Sequence, residues 1–324
     1  MSRAARGLIH AGLIVVVGVI AYLYGPTVMD MYRASRFEPS SRIAQVTQRI
    51  GLTGTGKRLF YASYPVIQGQ GDFNESCQSG ERTAAILGCY AQRRVYLYNI
   101  NNPDLDGAVE VTAAHELLHA AYARLTFFEK AQVDKLIDAE YQKHKTDPTI
   151  AGEMEYYKTA EPGEERNELH SIIGTTIADL PPALESYYVR YFTDRQSIVA
   201  LNTAYTVVFD KLEADAKALE ARMKRSAAEI RTESDAYNRD LSRLNGDIDV
   251  FNRRAAQGDF SSQYAFTVER RQIVARSSAL TDRQVALNHK IDAYNADVAA
   301  YSKLTLRAKQ LNESINGVEA PGEL

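Results

Sequence analysis

The chain has 324 residues, room for about two domains, and its composition shifts along its length in a way that one compact core would not. A formal charge of -3 supplies neither the basic field that nucleic acid requires nor a strongly acidic one, so no nucleic acid partner is expected. Hydrophobic content of 45% and charged content of 24% are ordinary for a globular protein, whereas Trp is absent and Tyr, at 20 copies, is unusually common.

Arg3 and Arg6 precede an apolar run from Leu8 to Tyr24, interrupted only by His10 and small residues. The run lies at the short end of a bilayer span. Positive charge ahead of it predicts a cytoplasmic N-terminus with the rest of the chain exported. A signal peptide cleaved after Val19-Ile20-Ala21 is the competing reading, but the run continues past that site to Gly25-Pro26, which favours an uncleaved anchor. Residues 1–36 are thus expected to form a cytoplasmic tip, a transmembrane anchor and a connector. The expected localisation is single-pass membrane, with the C-terminal domains extracytoplasmic. Cys77 and Cys89, the only cysteines, both fall in the exported part. They pair as a local disulfide or stand as two unrelated small core residues. With no CxxC spacing, a cysteine metal site is not expected.

Ile43, Val46 and Ile50 share one helical face, predicting a short helix that ends at Gly51. Gly51 to Lys57 (GLTGTGK) matches the glycine and lysine positions of a phosphate-binding loop. Arg58 stands where that loop needs Ser or Thr for magnesium, so the segment is read as a turn. Arg58 to Tyr64 reads as a strand, followed by a Gly- and polar-rich loop from Gln68 to Gly80 around Cys77. Arg93 to Ile100 (RRVYLYNI) is a second strand with strong β-formers on both faces, and Asn101 to Asp104 is a turn. Thr126-Phe127-Phe128-Glu129 is a capping box opening a helix that runs to about His144. Asp147-Pro148 and Gly152 break the chain. A further helix opens near Pro162 and stops at Gly174, and Pro181-Pro182 starts the next, which carries Leu184, Tyr187, Tyr188 and Tyr191.

From about Phe209 to Ile315 there is no proline, and apolar residues recur every seven positions. One series runs Phe209, Ala216, Met223, Ile230, Tyr237, Leu244, Phe251; a second runs Ile273, Leu280, Leu287, Tyr294, Tyr301, Ala308, Ile315. Leu241, Ile248, Ile291 and Val298 fill a companion column. Sustained heptads of this kind predict coiled-coil helices. Ala256 to Asp259 is the obvious breaker, so an antiparallel hairpin follows, able to reach a protein partner.

The chemistry concentrates in His115-Glu116-Leu117-Leu118-His119. Two histidines four apart on a helix project from one face, so both imidazoles can reach one ion. Glu116 falls to the side of that ion, where it can take a proton from water and pass it to a leaving amine. A chance match of this pattern in a chain this poor in His has a probability on the order of one per cent. The flanks, Ala114 before and Ala120-Ala121 after, carry no charge or proline, as a buried metal-bearing helix requires.

Thr112 to Ala120 (TAAHELLHA) resembles the active-site helix of zincin metallopeptidases. The resemblance covers roughly Arg93 to Asp194, and implies that Arg93 to Ile100 is the edge strand holding extended substrate beside the metal. The HxxGxxH continuation of metzincins is missing, since Tyr122 and Leu125 occupy the positions of its glycine and third histidine. The resemblance is therefore to gluzincins, in which a downstream glutamate completes the site. Candidates are Glu161, Glu164, Glu165, Glu168 and His170. Glu168 is favoured: it shares a face with Ile172 where the helix turns apolar, and Asn167-Glu168 is similar to the second-helix motif of gluzincins. His170, beside it, is either a hydrogen-bonded helix histidine or a candidate catalytic residue that steadies an oxyanion. Tyr187, Tyr188 and Tyr191 read as packing rather than as oxyanion donors. His144 and His289 read as surface residues.

The fold class expected is an α+β zincin-like metallopeptidase domain with an N-terminal transmembrane helix and a C-terminal α-helical coiled-coil hairpin. Its parts are residues 1–36, a catalytic domain over 37–200, the hairpin over 201–317 and a disordered tail over 318–324. The expected function is membrane-anchored peptide hydrolysis with Zn2+ held by His115, His119 and Glu168 and with Glu116 as general base. A peptide or protein is the expected substrate, and the membrane a partner through the N-terminal helix. The competing class is an anchored coiled-coil scaffold with a structural or relic zinc site, against which an intact Glu116 argues.

Overall fold

Ser40 accepts a hydrogen bond from the Ile43 amide and opens α1 (Ser41–Arg49), which buries Ile43 and Val46 as their spacing predicts. This is the start of a computed structural model that describes residue 18 and residues 24–77, 87–160 and 162–315. The chain divides into two units, Met1–Val208 with Leu311–Leu324, and Phe209–Gln310.

Two expectations about the N-terminal third are corrected. Arg58 to Tyr64 is not a strand: Thr53 caps the amide of Gly56 and starts α2 (Gly54–Ala62). Gly56, Leu59 and Phe60 are buried along one side, a helical period that β-propensity alone obscured. Of the GLTGTGK segment, Gly51 and Leu52 precede this helix, Thr53 caps it and Gly54 to Lys57 are its first turn, pressed against the backbone of Tyr191, where a Cβ on Gly56 would lie 2.2 Å from the carbonyl oxygen. The expected polar loop after Gln68 contains β1 (Val66–Gln68) at its edge and then α3 (Gln70–Ser76).

β2 (Gly88–Ala91) and β3 (Arg94–Tyr98) complete a single sheet of order β1-β3-β2, with β1 parallel and β2 antiparallel to β3. Their two-residue turn holds Gln92 and Arg93 at φ 51° and 61°, a hairpin turn without the Asn-Gly signal that would have announced it. Cys77, at the end of α3, is disulfide-bonded to Cys89 of β2. The expected strand at Arg93 to Ile100 is β3, but it is the central strand of the sheet. β1 and β2 are its two edges.

The expected α+β class with a transmembrane helix is corrected in consequence. The structure is 78% helical, and three short strands make its only sheet among the described residues. Among those residues no helix is long and apolar enough to cross a membrane, which overturns the expected single-pass membrane localisation. The apolar run itself, with His10, lies outside the described residues apart from Gly18 and Tyr24. The expected connector is partly helix, since residues 24–35 are helical. It is held by Asp30, which is buried and accepts hydrogen bonds from Arg124 at 2.6 and 3.0 Å.

α4 (Ala108–Tyr122) is buried along nearly its whole length and forms the centre of the first unit. Glu110 in its first turn, fully buried, faces Arg42 and Arg49 of α1 at 3.3 and 3.2 Å. α5 (Phe127–His144) opens on the expected capping box, with Thr126 and Glu129 bonded reciprocally. Asp147 then accepts the amides of Thr149 and Ile150 and starts α6 (Pro148–Ala160), which runs through Gly152 instead of breaking there. α7 (Glu165–Thr176) also runs past its expected stop, Gly174. A Cβ at Gly174 would sit 2.5 Å from Leu118 Cδ1 and 2.8 Å from Tyr188, so this glycine lets α7 lie close against α4. α8 (Pro182–Tyr188) starts where Pro181-Pro182 placed it, and α9 (Arg195–Gln257) follows.

In the second unit, α9 turns at Gly258 (φ 68°) into α10 (Gln263–Ile315). Leu244, Phe251 and Leu280 of the expected seams are buried, while Ala308 and Val298 stay outside. Ion pairs Glu233–Lys290, Asp240–Arg283, Asp247–Arg276 and Arg254–Glu269 recur every seventh residue on both helices, so the hairpin is antiparallel and in one register. The unit so bounded is shorter than the expected 201–317. The expected tail, 318–324, lies outside the described residues.

Candidate metal centre

α4 presents His115 and His119 from successive turns, ring centroids 4.7 Å apart, and α7 brings Glu168 against both. His115 Nε2 lies 3.4 Å from Glu168 Oε2, and His119 Nε2 lies 3.4 Å from Glu168 Oε1. Among the described residues these three form the one His/Cys/Asp/Glu group whose ligand atoms all fall within 4.8 Å of one another. Two atoms each about 2.0–2.1 Å from a tetrahedral zinc are about 3.4 Å apart, the separation of each imidazole Nε2 from its nearer Glu168 oxygen. Glu168 Oε2 is buried and no well-formed hydrogen bond reaches it, an arrangement that a cation between the three groups would satisfy. The donor set of two imidazoles and a carboxylate suits zinc.

The electrostatics agree with that fit. For His119, burial pulls the imidazole pKa down, but the charge and hydrogen bond of Glu168 outweigh it and push it up to about 10. For Glu168, burial alone would raise the carboxyl, yet the two histidines hold it well below the usual carboxylate range. His115 is lowered by burial despite Glu168. The carboxylate thus demands a positive charge between itself and His119, which a proton or a metal can supply. His119 Nδ1 lies 3.0 Å from Asn167 Oδ1, and the Asn167 amide nitrogen donates to Glu164 at 3.0 Å. With its oxygen so oriented, Asn167 accepts the Nδ1 proton and leaves the Nε2 lone pair aimed at the centre.

Glu116, one residue beyond His115 and about 100° round the helix, is 5% exposed. Two hollows meet at His115 and Glu116 and share Gly88, Tyr156 and Tyr157, one of about 280 Å³ beside β2 and one of about 410 Å³. β2 reaches this floor because residue 88 is glycine: a Cβ there would lie 2.5 Å from Thr112 Cγ2 and 3.0 Å from Glu116 Oε1. This edge strand of the sheet therefore runs along the centre, with Cys77 bonded to Cys89 on its flank.

Neither a family model, nor a curated protein, nor a solved structure matches this chain.

His115, Glu116, His119 and Glu168 lie together on one hollow. His170 does not. It is wholly buried behind Glu168, packed on Tyr122, Tyr187 and Tyr188, with Nε2 2.8 Å from the Tyr187 hydroxyl. It lines neither hollow, so its expected catalytic role is corrected to packing. The tyrosines pack it there: Tyr188 donates to the His170 carbonyl at 2.7 Å, and Tyr191 to the Tyr187 hydroxyl at 3.4 Å. Among the other ligand candidates, Glu164 is exposed and serves Asn167, Glu165 lies in the first turn of α7, and Glu161 is outside the described residues. His289 is exposed, as expected, whereas His144 is half-buried against Glu140 at 3.2 Å. Sequence reasoning missed the whole of α6, whose Tyr156 and Tyr157 wall the cleft. Asp147 before Pro148 was a legible start signal, an N-cap residue before proline at the first helical position.

Proposed function

We propose that the chain is a zinc-dependent peptidase in which His115, His119 and Glu168 hold the metal and Glu116 is the general base. The observation that carries this is the pairing of a three-residue cluster, in which each histidine Nε2 lies 3.4 Å from an oxygen of Glu168, and a buried carboxylate that is not part of it but opens on the same cleft. A site built only to brace the fold needs ligands and has no use for that carboxylate. When bound, zinc supplies a Lewis acid that acidifies water towards neutrality and polarises a carbonyl. Glu116 takes the proton of the attacking water and delivers it to the amine that leaves. Asn167 keeps His119 in the tautomer that ligates. Outer strand β2, lying along the floor, offers backbone groups to an extended peptide, as the likeness to zincins implies.

The test is zinc content and cleavage of a mixed peptide library, compared between wild type and Glu116→Gln. Expected are one zinc per chain in both proteins, cleavage by wild type, and a loss of about a hundred- to ten-thousand-fold in the variant. Zinc without cleavage by wild type would favour a structural zinc site in a coiled-coil protein.

A further inference from the structure

The larger hollow is lined mainly by uncharged groups, among them Val111, Ile172, Thr175 and Asn202. The Thr175 hydroxyl is committed to the Ser171 carbonyl at 2.8 Å, and that of Thr112 to the Ala108 carbonyl at 2.8 Å. Beyond His115 and Glu116, this hollow holds one charged residue, Glu153. Glu153 lies on α6 one turn before Tyr156 and Tyr157, on the same face. Ile150 and Met154, buried one turn apart, anchor that helix to the core and fix which face meets the cleft.

Burial first, then the like charges of Glu168 and Asp147, push the Glu153 carboxyl up to about 7, and no ion pair among the described residues opposes this. Tyr156, Tyr157 and Tyr205 line the same hollow. A carboxylate with no cation from its own chain, set in a hollow and flanked by aromatic rings, is matched by a long side chain with an apolar stem and a positive end. Because the hollow opens on His115 and Glu116, such a side chain would belong to a peptide lying across the reacting centre.

We propose that Glu153 determines specificity, making this hollow a subsite for a lysine or arginine side chain of the substrate. The inference rests on the peptidase reading above.

The test uses an otherwise uncharged peptide in which one arginine is moved along the sequence, each member paired with a citrulline version that keeps the shape and removes the charge. With the full-length, zinc-loaded protein, kcat/KM at the best position is expected to favour arginine over citrulline by about tenfold. Glu153→Gln is expected to bring that ratio to within about twofold, and Glu153→Arg to favour glutamate at the same position. Binding of the same peptides to the Glu116→Gln protein, followed by fluorescence anisotropy, gives a readout without turnover. Cleavage with no arginine preference, or a preference unmoved by Glu153→Gln, overturns the subsite and leaves the peptidase standing. Absence of cleavage together with a binding preference that Glu153→Gln abolishes supports the subsite and overturns the peptidase. Absence of both overturns both.

Discussion

Asn167 and His119 are joined by one hydrogen bond of 3.0 Å, and it decides which nitrogen His119 turns towards Glu168. Asn167 can play this part because its amide nitrogen is already engaged by Glu164. Removing the carboxamide frees the His119 ring to rotate and to change tautomer. Asn167→Ala is expected to weaken zinc binding by about 10- to 100-fold, measured by competition with a chromogenic chelator. Asn167→Asp, which keeps the acceptor, is expected to retain most of the affinity. Equal affinity in wild type and Asn167→Ala would show that the ring is oriented by other means.

Gly88 sets the distance between β2 and the helix that carries the ligands. Gly88→Ala puts a methyl 2.5 Å from Thr112 Cγ2 and 3.0 Å from Glu116 Oε1. Either β2 shifts outward or Glu116 does, at about 1–3 kcal/mol of overpacking. Peptide cleavage is expected to fall while zinc content stays at the wild-type level, because no ligand is touched. Loss of zinc along with cleavage would place the damage in the metal centre instead.

Cys77 and Cys89, separated by 12 residues, tie the end of α3 to edge strand β2. A loop of this size is worth about 3 kcal/mol in the chain-entropy account. Reduction with dithiothreitol, or the double substitution Cys77→Ser with Cys89→Ser, is expected to lower the thermal midpoint by a similar amount in each case. A midpoint indifferent to reductant would mean that the strand is held without the bond.

His170 gives the stability of the first unit a pH dependence with a definite sign. Burial first, then the charges of His119 and His115, holds its pKa well below the ordinary 6.5. As pH falls through 6.5 the unfolded chain takes up a proton on this ring and the folded chain does not. The contribution is therefore full above that pH and is lost as pH falls. Nitrogen-detected NMR is expected to find the His170 imidazole still neutral at about pH 5.5. Replacing it by Gln, which can still meet the Tyr187 hydroxyl, is expected to flatten the fall of the thermal midpoint below 6.5. An imidazole at this position that titrates near 6.5 would contradict its burial.

Local chemistry was sufficient for part of this protein. HExxH spacing fixes two imidazoles on one helical face, Thr126 and Glu129 close their capping box within one turn, and two heptad series flank the breaker at Ala256 to Asp259. Each of these depends on residues a few positions apart, where helix geometry alone sets the outcome. Other features required the fold. Arg58 to Tyr64 carries β-formers, but Thr53 caps it as a helix and its buried face follows a helical period. Gly152 and Gly174 read as helix ends, yet both lie inside helices, and Gly174 owes its place to Leu118 and Tyr188, far away in sequence. His170 stood beside the ligand and was turned from the cleft by tyrosines of another helix. Asn167 meets His119 across 48 positions, and β2 comes to the floor through a glycine that only the contact with α4 explains. Such contacts depend on which surfaces close on one another, and a residue's own neighbours in the chain carry no record of that.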